Sequence, residues 1–467
     1  MKKKLTICLT HMSKLLLAIA ICYFAFNLSS CTKKFYYTYV GGHYVDSNWV
    51  DWNVSMQNGI SGQGSGEEAA LESMINAYVS AYNVAHSTTY RPEFFPSYCP
   101  CDSTLFNFKV TLYLGSGQSS GTPPPPPPPP GGSGGLVDVL SQNHSFEVDS
   151  PRNDYKHDTT PVVLPTRVID TSKTLAIMDT GLDPAYFKPG ITISNLIWAA
   201  PPGITSTTMR NFTPGHLGMP DFFDDNDDKH GTAVAALALD AILKKDALHI
   251  PRLMILKVLD KNKVGSSFSV SCAMSYAIQN RASIINASLG YYSFGGQIDS
   301  VLRKYILRAA NATPTPILFV AAAGNAHVFH FPSQFCNVPG INHLDSPSLL
   351  FFPACFSNSI SNVISVTTVT NDLTSSCHYQ NYSKDFVTIG VRNEGGCCVF
   401  PVPFLRAGYE GSSFATPIVS GSLMGCLLQP GSTAPSVNCL NQISQTTSSL
   451  QTITKDGRFL GFKTSFR

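Results

Sequence analysis

Four side chains, widely separated along the chain, are of types that together could activate a nucleophile. They are Asp179, followed by Thr180-Gly181; His230, followed by Gly231; Asn325, preceded by Gly324; and Ser413, within Gly411-Ser412-Ser413. A serine hydroxyl attacks poorly until a neighbouring imidazole takes its proton. The imidazole in turn needs a carboxylate that fixes its tautomer and stabilises the imidazolium. In that assignment Ser413 is the nucleophile, His230 the general base and then the general acid, and Asp179 its orienting partner. The Asn325 amide, with the backbone N–H of Ser413, would form an oxyanion hole. Each residue alone has a plainer reading. Asp-Thr-Gly after a strand is a turn, a histidine or serine before a helix is a cap, and asparagine after glycine is a turn residue.

Elements that could position these groups are visible around them. Residues 174–178, 252–259, 283–287, 317–323 and 362–368 read as short apolar strands. Residues 232–243 read as a nearly all-apolar helix. Val270, Ala273, Met274, Ala277 and Ile278 mark a helical face over 269–280, and Ile298 to Ala309 repeat that period. A last long helix begins near Gly411 at the nucleophile motif, where the N-terminal dipole favours negative charge and Pro417 is expected in the first turn. Alternating strands and helices imply βαβ units around a parallel sheet, with chemistry in the loops beyond the strands' carboxyl ends.

Those loops carry five motifs. They are Asp179-Thr180-Gly181, His230-Gly231-Thr232, Ser288-Leu289-Gly290, Ala321-Ala322-Ala323-Gly324-Asn325 and Gly411-Ser412-Ser413-Phe414-Ala415-Thr416-Pro417. In this order they make residues 170–430 resemble the catalytic domain of subtilisin-like serine proteases, peptidase family S8. The order Asp, His, Ser also separates the chain from hydrolases that run Ser, acid, His. The resemblance implies an α/β three-layer sandwich with a mostly parallel central sheet. It implies hydrolysis of peptide bonds through an acyl-enzyme, and a peptide substrate laid along Ser288, Leu289 and Gly290 with Gly324 beside it. Ala233 and Ala236 stand where the family often has His and Gly, and Ser412 and Phe414 where Thr and Met are common. None of these changes removes a catalytic atom. An alternative from another class is an inactive or self-processing scaffold that binds peptides.

Asp221, Asp224, Asp225, Asp227 and Asp228 crowd the loop before His230. They could hold Ca²⁺, attract basic substrate residues, or form a plain solvated loop; their spacing is not that of an EF-hand. No other cofactor is implied, and no metal ligand is assigned.

The ends read as targeting and tethering. Lys2 to Lys4 and Lys14 precede an apolar run over 15–26, too short for the ~20 residues of a spanning helix. Leu28-Ser29-Ser30-Cys31 then resembles a bacterial lipobox. Residues 1–30 are therefore expected to be a lipoprotein signal peptide, with Cys31 lipidated and the chain held at the cell envelope facing the periplasm. Residues 31–120 form an accessory domain or a propeptide, with a helix over 67–84 and a strand over 106–114. Residues 121–160, with eight prolines at 123–130 among glycines, form a linker, and 161–467 form the catalytic domain, ending in a helix over 438–453 and a strand near 459–462. Ten cysteines remain after Cys8, Cys22 and Cys31, which allows disulfides in an oxidising compartment. Cys272, inside a helix, is expected as a buried thiol. Lys+Arg 32 against Asp+Glu 30 gives a net charge of +2, which argues against a nucleic-acid partner.

Overall fold

Helix α1 (Gly66–His86) forms where Leu71, Ile75 and Val79 recur four residues apart and are all buried. Three strands accompany it: β1 (His43–Met56), β2 (Tyr90–Tyr98) and β3 (Leu105–Leu114). They belong to a computed structural model that describes residues 37–40, 43–56, 66–114, 137–143, 145–147, 162–163, 167–188, 196–199, 208–246, 248–294, 298–325, 349–369, 380–383, 385–392, 399–402, 407–429, 454–455 and 458–459. The expected signal peptide, Cys31, the proline tract and the helix over 438–453 lie outside these residues. Of the expected last strand, the described part is Arg458–Phe459, paired antiparallel with Thr454–Lys455.

The chain divides into two compact units that do not follow chain order. Among described residues the first takes those up to Asp51, 68–95 and 108–114. Phe94 and Phe108 pack there with ring centroids 5.7 Å apart. The second takes 52–56, 66–67, 96–107 and all described residues from 137 onward.

In the second unit, β4 (Val137–Gln142) and β5 (Ser145–Glu147) precede a parallel sheet. Its strands are β6 (Val168–Asp179), β7 (His249–Lys257), β9 (Ile284–Ala287), β11 (Leu318–Ala322), β13 (Val363–Val369) and β14 (Ile389–Arg392), in the spatial order β7-β6-β9-β11-β13-β14. Side chains alternate across a strand, and the sequence uses this to feed two cores. Leu175, Ile177, Leu253, Ile255, Ile284, Leu318 and Val320 enter one core, while Ala176, Met178, Met254, Leu256, Ile285, Phe319 and Ala321 enter the other. Helices α2 (His230–Lys245) and α5 (Ser412–Leu428) cover the first face. Helices α3 (Ser267–Gln279) and α4 (Ser300–Ala310) cover the second. This is the three-layer α/β arrangement the alternation implies. The edge elements are β8 (Val264–Ser266), β10 (Tyr291–Phe294) and β12 (Leu349–Phe352); β10 pairs antiparallel with β12.

Cys272 corrects one expectation. It is buried, but it is bonded to Cys99, 173 residues away, because the turn between β2 and β3 places Cys99 against α3. Among the described residues, no helix is long and apolar enough to cross a membrane.

Candidate active site

Asp179 is the last residue of β6 and His230 the first of α2, so a strand exit and a helix entrance meet. The contact between them depends on two glycines. A side chain on Gly231 would collide with the carbonyl of Gly181, and Gly181 itself has φ +119° under the backbone of Phe222. With nothing but hydrogen between the two segments, Gly231 N–H donates to Thr180 Oγ1 at 2.9 Å. His230 Nδ1 then lies 2.7 Å from Asp179 Oδ1, an oxygen that also accepts the Thr180 N–H at 2.7 Å. Asp179 is 1% exposed and His230 0%. Asp179 Oδ2 and His230 Nε2 are buried without a hydrogen-bond partner among the described residues.

The helix bearing His230 has no side-chain cap of its own, because Lys229 at the cap position offers no acceptor. Asp224 caps it from the preceding loop, accepting the N–H and hydroxyl of Thr232 at 3.0 and 2.7 Å. Burial pushes the Asp224 carboxyl above its ordinary value, and the bonds from Thr232 pull it part of the way back.

Ser413 is the second residue of α5, entered through Gly411 at φ 131°. The next residue, Phe414, places its ring 4.8 Å from the imidazole of His230 and 4.7 Å from the ring of Tyr409. The structure therefore brings Asp179 and His230 into contact and sets Ser413 one residue from the ring that packs on His230. No hydrogen bond joins the Ser413 hydroxyl to His230 Nε2. Pro417 is the sixth residue of α5 rather than part of its first turn, so the Ser413 carbonyl lacks the N–H that the residue four positions on would otherwise supply.

Asn325 follows β11 and accepts through Oδ1 from the Ser412 N–H at 2.9 Å and the Ser412 hydroxyl at 3.2 Å. Its oxygen is thus committed to the helix start, which leaves the amide NH₂ as the donating end of the side chain, beside Gly411. Gly324 N–H donates to Ser412 Oγ at 3.1 Å. Tyr292 Oη, with one proton to give, lies 2.6 Å from the Asn325 carbonyl oxygen and 2.8 Å from Asn381 Oδ1, while Asn381 Nδ2 donates to the Ala323 carbonyl at 2.6 Å. Sequence reading missed Tyr292 and Asn381, which belong to no motif, and named Asp224 only as one of the acidic loop's carboxylates. Ser288, Leu289 and Gly290 leave β9 on the same side of the sheet, with Ser288 and Leu289 buried and Gly290 pressed against the ring of Phe351.

The acidic loop is largely committed to its own chain. Asp225 pairs with buried Lys257 at 2.7 Å, and that ammonium also donates to the Thr180 carbonyl. Asp228 pairs with Lys263 at 2.6 Å, while Asp221 and Asp227 are exposed. Among the described residues, no three carboxylates bring oxygens within 4.8 Å of one another.

A sequence model of the subtilase family matches residues 170–454, more than half of the chain. An intracellular serine protease of Paenibacillus polymyxa is 28% identical over 218 residues, 46% of this chain and 58% of that protein. A thermostable alkaline protease of Halalkalibacterium halodurans is 36% identical over 131 residues, 27% of this chain and 34% of that protein. The matched stretch thus spans little more than half of one relative and a third of the other. Among solved structures, an epidermin leader peptide processing serine protease from Staphylococcus aureus has a TM-score of 0.50 at 16% identity, covering 89% of this chain and 96% of that one. A mutant of the same protease gives 0.51 at 14%, covering 90% and 98%. At these identities the likeness concerns the fold.

Proposed function

The chain belongs to the subtilase family, and from that membership we propose that it is a serine-type endopeptidase acting through Asp179, His230 and Ser413. Ser413 Oγ attacks the peptide carbonyl while His230 Nε2 takes its proton. Asp179 holds the Nδ1–H and faces the imidazolium that results. The Asn325 amide and the Ser413 N–H receive the oxyanion. Collapse expels the amine, protonated by His230, and leaves an acyl-enzyme that water hydrolyses by the same steps in reverse. The observation that carries this reading is the buried 2.7 Å contact of Asp179 Oδ1 with His230 Nδ1, with Nε2 left unpartnered beside the start of α5. The Ser413–His230 hydrogen bond forms when substrate seats the serine rotamer, as apo sites often require.

Cys31, behind its apolar leader, is the proposed point of lipid attachment, which would hold the enzyme at a bacterial envelope membrane facing the periplasm. The substrate is a peptide or protein, and no step is assigned to calcium.

One observation favours a second, self-processing reading. β5 pairs antiparallel with β8, Ser145 facing Ser266 and Glu147 facing Val264. Asn143 accepts the Phe268 N–H at 3.0 Å in the first turn of α3. A stretch inside the expected linker thus lies as an added strand beside β8, as a bound peptide would. β8 in turn bridges to Leu259, whose N–H donates to the Asp179 carbonyl. In this reading the first substrate is the chain's own stretch within 115–160, and residues 31–120 are a propeptide.

Treatment with a fluorophosphonate probe, followed by intact-mass analysis, tests the proposal. One adduct is expected on the full chain and none on Ser413→Ala, with the fold unchanged. Labelling that persists in the variant would falsify the nucleophile assignment. An unlabelled wild type that still binds peptides would leave only a binding scaffold. A single self-cut within 115–160, absent in Ser413→Ala, supports the self-processing reading.

A further inference from the structure

Three sulfur atoms meet between the turn that joins β2 to β3 and helix α3, all within 4.8 Å of one another. Cys99 is bonded to Cys272. Cys101 keeps its thiol, 3.3 Å from the sulfur of Cys99 and 3.9 Å from that of Cys272. A thiol at this distance from a disulfide stands where an exchange reaction begins.

We propose that Cys99, Cys101 and Cys272 form an internal thiol–disulfide exchange site, in which Cys101 displaces Cys272 from Cys99. This undoes the covalent link between segment 96–107 and α3 without an external reductant. The Cys101 thiolate supplies the electron pair of a new Cys99–Cys101 bond. The Cys99–Cys272 bond breaks, and Cys272 leaves as a thiolate that takes up the proton Cys101 gave away. One disulfide exists before and one after, so nothing is oxidised or reduced overall.

The surroundings explain why the exchange waits. The Cys101 thiol is pushed up to about 12, first by burial and then by the charge of Asp102, so little thiolate exists near neutral pH. Asp102 also anchors the turn. Its carboxylate accepts from Thr104, from Ser275 on α3 at 2.6 Å, and from Tyr305 and Arg308 on α4 at 2.9 and 2.7 Å. Gln279 donates to the Cys101 carbonyl at 2.7 Å. While these bonds hold, Cys272 stays at high effective concentration opposite Cys99 and the attacking thiol stays protonated. When they break, Cys101 is in water and still two residues from Cys99, and Cys272, once displaced, is no longer held beside them to attack back. Exchange therefore follows release of the turn rather than causing it.

The use of such a site rests on the proposed self-cut, although the exchange does not. A break within 115–160 would leave the piece bearing Cys31 joined to the protease through Cys99–Cys272, so cleavage and release become separate events.

The test uses the full chain carrying Ser413→Ala, so that the outcome is independent of peptidase activity. A recognition site for an added specific protease is inserted in the glycine stretch 131–135. Acid-quenched alkylation with peptide mass mapping should find Cys99 joined to Cys272 and Cys101 alkylated. After the linker is cut and the protein is held in urea at mildly alkaline pH without reductant, Cys99 should be joined to Cys101 and Cys272 alkylated. The two pieces should then separate on a non-reducing gel. With Cys101→Ser, or Cys101→Ala if the serine form misfolds, the pieces should stay joined until a reductant is added, with Cys272 alkylation at least about tenfold lower. Three results would each overturn the proposal: a Cys99–Cys101 bond in the native protein, no change of pairing in urea, or equal separation with and without Cys101. The peptide joined to Cys99 distinguishes Cys101 from any other attacking thiol.

Discussion

Replacing Asp179 by Asn removes one charge and no volume, and the structure indicates which way the new amide must face. In the wild type Oδ1 accepts both the Thr180 N–H and the His230 Nδ1–H, each at 2.7 Å. An amide that kept its oxygen there would preserve both bonds and the histidine tautomer. The flipped amide would set its NH₂ against the Thr180 N–H, a donor facing a donor inside a buried site. The unflipped form is therefore favoured, and the loss is chiefly that of the charge facing the imidazolium. For centres of charge about 4 Å apart at an effective dielectric of about 20, that attraction is about 4 kcal/mol. At about 1.36 kcal/mol per decade, kcat should fall by about 10³ with KM nearly unchanged. A flipped amide would instead fix the wrong tautomer, for which about 10⁴ is the known scale in another serine protease. The assay is steady-state hydrolysis of a fluorogenic peptide, with the rate of fluorophosphonate labelling as a second readout and thermal melting as a control for folding. A folded Asp179→Asn protein within about tenfold of the wild-type kcat would refute the proposed role of this carboxylate.

Two other substitutions separate chemistry from architecture. Asn325→Ala should lower kcat by about 10²–10³, a figure borrowed from subtilisin rather than worked from this structure. It should also lower the melting temperature, because Asn325 Oδ1 holds the Ser412 N–H and hydroxyl. Asp102→Asn should leave kcat intact and destabilise the fold. Burial alone would raise the Asp102 carboxyl, but hydrogen bonds from Ser275, Thr104 and Arg308 outweigh it and hold the group well below the usual range. A depressed carboxylate contributes fully above its ordinary value, about pH 4, and loses that contribution as pH falls towards the folded value. The expected deficit at neutral pH is about 2–3 kcal/mol, discounted for the partly exposed Arg308, and melts across pH should show it shrinking below about pH 4.

The sheet was legible because each core strand announces itself twice, by its apolar run and by the motif at its carboxyl end. Residues 174–178 alternate between two cores, and both neighbours of β6 in the sheet do the same. The places of Asp179, His230 and Asn325 at the ends of elements were legible for the same reason, since periodicity locates those boundaries. What could not be read were contacts made across the chain. Tyr292 clamps Asn381 from 89 residues away, and Asp102 reaches Arg308 across 206. No periodic signal marks such partners. The acidic loop stayed open to several readings because composition records charges and not their neutralisation: Lys257 and Lys263, on and beyond β7, reach back to Asp225 and Asp228. Cys272 misled, since its helical face was correct and its partner lay in another segment. Pro417 was misplaced because the cap glycine, and not the proline, sets where α5 begins.

That neutralisation bears on the proposed mechanism. A carboxylate taken out of water costs several kcal/mol unless something compensates its charge. Asp225 and Asp228 have lysines, and Asp183 has Lys229 at 3.2 Å. Among the described residues no cation pairs with the Asp224 carboxylate, and burial raises it, which favours the proton. Asp179 differs from all of these, being buried with Oδ2 unpartnered and no lysine or arginine paired with it. Among the described residues the ionisable group in contact with it is His230, which brings a compensating charge only when the imidazole is protonated. In the proposed cycle that happens when the serine proton has moved to Nε2 and the oxyanion exists. The interaction is therefore stronger in the transition state than in the resting enzyme, which is the condition for binding energy to appear in kcat. Had a lysine stood beside Asp179, as Lys257 stands beside Asp225, the charge would already be satisfied at rest and less of it would remain for the intermediate.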